Sequence, residues 1–158
     1  GLLLAQTLRA DVQHKLADGW VSQRYGEKRP APALRSTIKS SNANFDTLLL
    51  PWRDIEPTVH LEDVAVEARG ANITAPSALQ INLQSGDKRT TDFWFHSHDK
   101  EVLNWRIDRF EFTGRWVFWR EADYGRVLHA VSHSGASLRS TQNGRTAQIA
   151  LEIEGTIA

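Results

Sequence analysis

Apolar and polar residues alternate along the chain with a period of two. Every second residue is Leu or Ile in the stretches 79–83 and 149–153, and the residues between them are polar or small. Successive side chains of a β-strand point to opposite sides of the sheet, so this pattern predicts strands with one buried face. We therefore predict a half-buried strand at each of these two places.

The segment 110–119 has the most aromatic pattern of this kind. Its even-numbered positions are apolar at Phe110, Phe112, Trp116 and Phe118, while its odd-numbered positions change from polar to apolar along the segment. This predicts one strand that enters the centre of the fold halfway along its length. Further strands are predicted at Leu2–Leu8, Ala33–Ser40, Phe45–Leu50, Val59–Ala68, Thr91–His96 and Arg126–Ser132.

Turn residues separate these strands at three places. Ser85–Asp87, Asp123–Gly125 and Gln142–Arg145 each contain a glycine, and the last contains the Asn-Gly pair that tight hairpins favour because both central residues need a positive φ. The expected fold is all-β, with roughly nine to eleven short strands in two packed sheets or a barrel. We predict an antiparallel β-sandwich that forms a single domain over residues 1–158.

Two segments do not fit this pattern of strands. Residues 8–16 come nearest to a helical apolar stripe, so one short helix there is the alternative to an all-strand chain. Gly26–Pro32 contains two prolines, which cannot donate to a β-ladder, and it is predicted to be a long crossing loop.

Composition and charge exclude several classes of function. Nineteen basic and nineteen acidic residues balance, so no broad field favours nucleic acid or an anionic membrane, and neither partner is predicted. Without cysteine there is no disulfide, thiol nucleophile or thiolate metal site. The longest apolar run, Leu2–Ala5, is far too short to span a bilayer.

The start of the chain predicts a fragment of a larger protein. The sequence has no methionine and begins inside an apolar run. If a sandwich is cut there, strands that once had neighbours become edges with unpaired backbone groups. We expect self-association, with Leu2–Leu8 as the contacting segment.

Histidines are the only candidate soft ligands or general bases in this chain. His96, His98 and Asp99 lie close together in sequence, and residues i and i+2 of a strand share a face, so two imidazoles and a carboxylate can reach one zinc ion. The alternative is a polar turn that closes an aromatic strand, and we favour it because no third, distant ligand is evident. His129 and His133 are too far apart on an extended strand to share an ion.

Tryptophan and arginine indicate a different kind of site. Fourteen of the nineteen basic residues are arginine, whose planar guanidinium binds carboxylate and sulfate groups in a bidentate manner, although we favour a simple bias in composition as the explanation of this excess. Trp20, Arg24 and Tyr25 form the most sugar-like local set, and Trp52 also lies beside a loop. The remaining tryptophans alternate within strands and are predicted to be core residues: Trp94, Trp105, Trp116 and Trp119.

The order of several motifs resembles the late part of the C-terminal β-sandwich of the heparinase II/III-like family. The resemblance covers residues 15–140 and depends on motifs that are in part ordinary strand and turn chemistry. The matching segments are Gly19–Lys28, Ala31–Leu34, Thr47–Pro51, Ala78–Ile81, Gly86–Asp87, Thr91–Asp92 and Gly114–Arg120.

This resemblance implies a parent protein that is a bacterial, periplasmic or secreted polysaccharide lyase. Such lyases cleave an acidic polysaccharide by β-elimination in a cleft between an α/α toroid and the sandwich, with Tyr or His groups that move protons. Some members hold a metal, so the resemblance extends to zinc or calcium as a cofactor of the parent and not of this chain. Neither the toroid nor the family's histidine motif matches this chain. No catalytic residue is transferred, and the implied role is non-catalytic support of the cleft wall.

Three functions therefore remain open. The first is the structural β-sandwich portion of a polysaccharide lyase, which contacts acidic polysaccharide through the parent protein and docks on the missing N-terminal toroid. The second is an autonomous carbohydrate-binding module that uses Trp20, Arg24 and Tyr25. The third is a protein-interaction sandwich with no role in sugar binding.

Overall fold

A computed structural model shows that the chain folds into β-strands grouped in two compact units. One unit comprises Gly1–Ala5 and Thr47–Ala158, and the other comprises Gln6–Asp46. The structure describes residues 1–7, 11–41, 45–68, 77–98, 104–122, 125–133, 137–142, 145–149 and 152–153. Within these residues, no helix is long and apolar enough to cross a membrane.

The strands are, in chain order, β1 (Leu2–Gln6), β2 (Val12–Val21), β3 (Arg29–Ile38), β4 (Thr47–Pro51), β5 (Thr58–Asp63), β6 (Glu67–Ala68), β7 (Ser77–Ser85), β8 (Lys88–His96), β9 (Asn104–Ile107), β10 (Phe110–Thr113), β11 (Trp116–Ala122), β12 (Arg126–His133), β13 (Leu138–Gln142), β14 (Arg145–Ile149) and β15 (Glu152–Ile153). The larger unit contains a six-stranded sheet of order β15-β12-β11-β8-β7-β5 and a five-stranded sheet of order β14-β13-β10-β9-β6. It also contains the two-stranded sheet β1-β4. Apart from the parallel pair of β12 with β15, the described pairings are antiparallel.

Aromatic side chains from the two larger sheets form one core. Phe95 of the six-stranded sheet lies 4.9 Å from Trp105 and 4.8 Å from Phe112 of the five-stranded sheet, measured between ring centroids. Trp119 stacks on Phe93 at 4.8 Å and contacts Phe110 at 4.7 Å. Burial of these rings between two sheets stabilises a sandwich. The predicted all-β sandwich is confirmed.

The predicted strand over 110–119 is in fact two strands in different sheets. β10 ends at Thr113 and β11 begins at Trp116, and Gly114 between them has a φ of 147°, in a region that favours glycine. Because the chain changes sheets here, the inward side changes from Phe110 and Phe112 to Val117 and Trp119. The apolar positions switch from even to odd residue numbers because the chain passes from one sheet to the other here. The switch does not mark a single strand that becomes more buried along its length. Such splitting, together with the two-residue strands β6 and β15, gives more strands than the nine to eleven predicted.

The smaller unit is a two-stranded ribbon made by β2 and β3. Their register pairs Val12 with Ile38 at one end and Val21 with Arg29 at the other. The helix considered over 8–16 is wrong from residue 12 onward, where the chain is in β2, and residues 8–10 lie outside the described part. Pairing with β3 stabilises the extended conformation of this segment more than its weak helical pattern of apolar residues stabilises a helix.

The predicted crossing loop at Gly26–Pro32 is also wrong in its second half. β3 begins at Arg29, so Pro30 and Pro32 are strand residues opposite Trp20 and Asp18. Both strands of this ribbon are edge strands, and proline is tolerated where the missing N–H would face away from the partner. The chain between β2 and β3 is therefore a compact hairpin turn.

One of the three predicted turns lies entirely within the described residues. Ser85–Asp87 connects β7 to β8, and Gly86 has a φ of 58° as such turns require. Gly125 has a φ of 72° and precedes β12, while Asp123 and Tyr124 lie outside the described residues. The Asn143-Gly144 pair also lies outside them, between the paired strands β13 and β14.

An ion pair at the border of the core has a pH-dependent effect on stability. Glu121 is buried and accepts a hydrogen bond of 2.7 Å from Nη2 of Arg109. Burial raises the pKa of Glu121 above its ordinary value of 4.5, and the nearby Arg109 only partly opposes this. The folded state thus holds this proton more tightly, and the contribution of Glu121 to stability is lost as the pH rises through its raised pKa.

We therefore expect Glu121→Gln to gain stability relative to the native chain as the pH rises from below 4.5 to neutrality. Urea denaturation of both proteins at several pH values measures this difference. A difference that stays constant, or that changes in the opposite direction, would contradict the raised pKa.

The first strand has an exposed apolar face. Leu2 and Leu4 are 64% and 43% exposed, and β1 pairs only with β4 in the described part of the chain. An edge strand with exposed leucines is a template for pairing with another chain. Self-association through Leu2–Leu8 stays a prediction, and Leu8 lies outside the described residues.

We expect Leu4→Lys to reduce the concentration-dependent association of the chain in sedimentation velocity experiments, because a lysine on an edge strand opposes strand pairing. Leu16→Lys is the matched control, since Leu16 is exposed on the ribbon. Loss of association in the control alone would assign the contact to the ribbon instead.

Candidate functional site

A cleft of about 490 Å³ lies beside the β7–β8 turn in the larger unit. One wall is the segment 52–57, which follows β4 and leads into β5. A Cβ placed on Gly86 would lie 3.6 Å from Cδ1 of Ile55, so this segment packs over the turn. The opposite wall comes from the ends of β7 and β8 and from Arg120 of β11. The volume is within the range of small-ligand sites.

The cleft combines an aromatic ring with several cations. Trp52 lines it together with the basic residues Arg53, Lys88 and Arg120, against the single carboxylate of Asp54. Ser85 and Thr90 contribute hydroxyl groups, and the remaining lining is apolar: Leu50, Pro51, Ile55, Pro57 and Leu83. An apolar wall with a few convergent polar groups is the usual composition of a binding site. Because Asp92 neutralises Arg120, the cation excess of the lining is that of Arg53 and Lys88 over Asp54, and it favours an anionic ligand.

Backbone pairing holds Trp52 in place. The backbone N–H of Trp52 donates to the carbonyl oxygen of Gly1 at 2.9 Å. The carbonyl oxygen of Trp52 accepts a hydrogen bond from the backbone nitrogen of Gly1 at 2.6 Å. A Cβ on Gly1 would overlap the indole of Trp52, so the ring packs closely on this glycine. The indole is half-buried and forms a preformed apolar surface of the cleft.

A buried carboxylate fixes the position of Arg120. Asp92 and Arg120 are direct partners across β8 and β11. Nε and Nη2 of Arg120 each donate to a different carboxylate oxygen of Asp92, both at 2.7 Å. The hydrogen bond to Asp92 is the main reason that the pKa of Arg120 is raised. Arg120 is therefore a permanent and rigidly oriented cation at the cleft wall.

An aromatic row continues from Arg120 along the same side of the six-stranded sheet. Trp94 and Phe118 are direct partners, two residues along from Asp92 and Arg120 on the same strands. Residues two apart in a strand share a face, and both rings are half-buried. This face points away from the core side that contains Trp119. The cleft thus opens next to further aromatic surface.

The predicted set Trp20, Arg24 and Tyr25 lies at the turn end of the ribbon. Trp20 is 68% exposed and faces Pro30 across the ladder, and Tyr25 is fully exposed. The carbonyl oxygen of Arg24 accepts hydrogen bonds from Oγ of Ser22 at 2.7 Å and from the N–H of Glu27 at 3.1 Å, which close the turn. The three residues are thus near one another in the hairpin, and sugar binding there stays a prediction.

His96 and His98, the two described histidines of the predicted cluster with Asp99, have their rings in contact. The rings of His96 and His98 are 4.7 Å apart and nearly perpendicular, and His96 also stacks on Trp94 at 6.0 Å. Asp99 lies outside the described residues. No group of three or more metal-binding side chains is found in the described part of the chain. Zinc binding by His96, His98 and Asp99 remains untested by this geometry.

Two of the four tryptophans predicted to be in the core are there. Trp105 and Trp119 are 2% and 0% exposed. Trp94 and Trp116 are only half-buried, because they lie on the face of the six-stranded sheet opposite to the core. The sequence marks Trp52 as a loop-side ring, but it does not place Lys88 or Arg120 near it. The arginine excess is the one signal in the sequence that points towards Arg120.

Comparison of the chain with family models, with curated proteins and with solved structures found no match.

Proposed function

We propose that this chain is a non-catalytic β-sandwich that binds acidic polysaccharide, and that it is the C-terminal portion of a heparinase II/III-like polysaccharide lyase. The observation that favours polysaccharide binding is the cleft that sets Trp52 beside Arg53, Lys88 and Arg120. A flat ring offers an apolar surface to a sugar face, while the cations bind its acidic groups. Membership of the lyase family is favoured by the order of the sequence motifs.

In this proposal the parent enzyme cleaves its polysaccharide by β-elimination in a cleft that the sandwich supports. The chemistry belongs to an α/α toroid, and this chain holds part of the substrate beside it. Any zinc or calcium requirement belongs to the parent. Action on a polysaccharide outside the cytoplasm suggests a periplasmic or secreted location.

An autonomous carbohydrate-binding module is the second candidate. It is favoured by the exposure of Trp20 and Tyr25 on the ribbon. Exposed aromatic side chains are frequent in surfaces that bind sugars or proteins, and the fully exposed Tyr25 has no packing role in the described residues. The two candidates differ in location, since one uses the cleft of the larger unit and the other uses the ribbon.

Titration calorimetry with oligosaccharides of alginate, hyaluronan and heparan sulfate tests the proposal, with a neutral glucan as the control. We expect saturable binding of at least one acidic oligosaccharide, no binding of the neutral glucan, and no formation of the unsaturated product of β-elimination in ultraviolet absorbance. Robust turnover by this chain would contradict its non-catalytic role. Lack of binding to every acidic oligosaccharide would contradict the binding function.

A further inference from the structure

The basic and acidic residues are divided unequally between the two units of the chain. The smaller unit, Gln6–Asp46, contains seven Lys or Arg and four Asp or Glu, whereas the larger unit contains twelve and fifteen. The balanced total charge, from which no membrane partner is predicted, therefore consists of +3 on the smaller unit and −3 on the larger one. Near a negatively charged surface, a protein with this separation of charge presents its basic part.

Exposed apolar side chains cluster at the turn end of the ribbon, residues 20–29, which we call the ribbon tip. Trp20 and Val21 end β2 with 68% and 44% of their surface exposed, and Tyr25 in the turn is fully exposed. Three such residues within six positions are typical of a surface that contacts a partner. The ribbon tip therefore has apolar surface that the described part of the chain does not cover.

The backbone of the ribbon tip is already folded. Val21 pairs with Arg29 at the end of the ladder. Oγ of Ser22 donates to the carbonyl oxygen of Arg24 at 2.7 Å, and Gly26 has the positive φ of 84° that suits a turn. A partner that binds the ribbon tip does not have to order this turn first.

The ribbon tip also contains two cations without a counter-charge. Oε2 of Glu27, its single carboxylate, lies 3.8 Å from Nη2 of Arg29, so these two charges offset each other. Arg24 and Lys28 form no ion pair with another described residue. Positive charge thus lies beside exposed aromatic rings.

A bilayer that contains anionic lipids matches both properties of the ribbon tip. Trp and Tyr favour the boundary between headgroups and hydrocarbon, because the ring is apolar while its N–H or O–H stays in contact with water. Each Lys or Arg near an anionic leaflet strengthens binding about fivefold. A soluble polyanion would bind the cations but would leave the apolar side chains in water.

We propose that the ribbon tip docks on an anionic lipid bilayer. Trp20 and Tyr25 then lie at the level of the headgroups, and Arg24 and Lys28 bind lipid phosphates. The same surface repels the larger unit, whose net charge is negative, so the ribbon tip is the point of attachment. This attachment goes beyond polysaccharide binding and uses none of the residues that line the cleft.

Sedimentation of the native chain with vesicles tests this docking. One set of vesicles contains phosphatidylcholine and phosphatidylglycerol in equal amounts, and the other contains phosphatidylcholine alone. We expect binding to the anionic vesicles to be about tenfold tighter or more, and to weaken as the salt concentration rises. Equal binding to both sets, or no binding to the anionic vesicles, would overturn the proposal.

Two variants separate the apolar contact from the ionic one. Trp20→Ala should weaken binding to the anionic vesicles roughly tenfold. Lys28→Gln should weaken it roughly fivefold and reduce its salt dependence. The matched controls are Leu128→Ala and Arg126→Gln, because both residues are exposed on β12 of the larger unit, and each should change binding less than about twofold. Losses in the controls as large as those in the tip variants would contradict the proposal.

A fluorescent label gives a readout that leaves the rings and cations of the ribbon tip intact. The chain has no cysteine, so Gln23→Cys in the turn is labelled with nitrobenzoxadiazole at that one position. Anionic vesicles should increase the emission of this label and shift it to shorter wavelength, while a label on Leu128→Cys should show neither change. If the label at position 23 responds equally to a single-stranded oligonucleotide or to dextran sulfate, the ribbon tip binds soluble polyanions and membrane docking is refuted.

Discussion

Replacement of Trp119 by alanine is expected to lower the free energy of unfolding by about 3–5 kcal/mol. Trp119 has no exposed surface, and it stacks on Phe93 and contacts Phe110 of the opposite sheet. Alanine would remove the indole from the centre of the core and leave a cavity that neighbouring aromatic rings fill only in part. Urea denaturation followed by circular dichroism measures the loss.

Trp20→Ala is the matched control for this prediction. Trp20 is 68% exposed on the ribbon, so its removal should change the free energy of unfolding by no more than about 0.5 kcal/mol. Comparable losses in the two variants would contradict the placement of the core between the two larger sheets.

Trp52→Ala is expected to weaken the binding of acidic oligosaccharide by about 2 kcal/mol, roughly thirtyfold in Kd. The indole is the only aromatic ring that lines the cleft in the described residues, and alanine offers no flat surface to the sugar. Calorimetric titration of the variant measures the change. The folded state of the variant is checked by its thermal midpoint, because Trp52 is half-buried.

Trp20→Ala again serves as the control, and its affinity should equal that of the native chain. If Trp20→Ala loses binding while Trp52→Ala retains it, the ribbon is the sugar-binding surface and the autonomous module becomes the better interpretation. If the affinity of Trp52→Ala equals that of the native chain, the cleft is not the binding site for acidic oligosaccharide.

Local pattern predicted many of the strands, although it missed β2, β9 and β13, and it did not predict how the strands assemble. The alternation in 79–83 places Leu79 and Ile81 on one side of β7, as the structure shows. The same reasoning wrongly predicted one strand over 110–119. The chain changes sheets at Gly114, but β10 and β11 each keep a regular alternation, so the pattern alone does not reveal the break. Which sheet a strand joins depends on pairing with distant segments, which a period of two does not encode.

The cleft was only partly predictable for the same reason. Trp52 is marked by its position beside a loop, and the surplus of arginine is compatible with binding of acidic groups, although a bias in composition was the favoured explanation. Lys88 and Arg120 are far apart in sequence, and they line one cleft because β8 and β11 are neighbours in a defined register. The bidentate pair of Asp92 with Arg120 likewise exists only once these strands lie side by side.

The central claim is that acidic polysaccharide binds in the cleft beside Trp52, and the indole N–H signals of the six tryptophans test it directly. In a ¹⁵N-labelled chain, with the signal of Trp52 assigned through Trp52→Phe, addition of oligogalacturonate should shift that signal in a saturable manner. The signal of Trp105, whose Nε1 donates to the carbonyl oxygen of Gly114 inside the core, should not move. Saturable shifts of Trp20 without any shift of Trp52 would contradict the account.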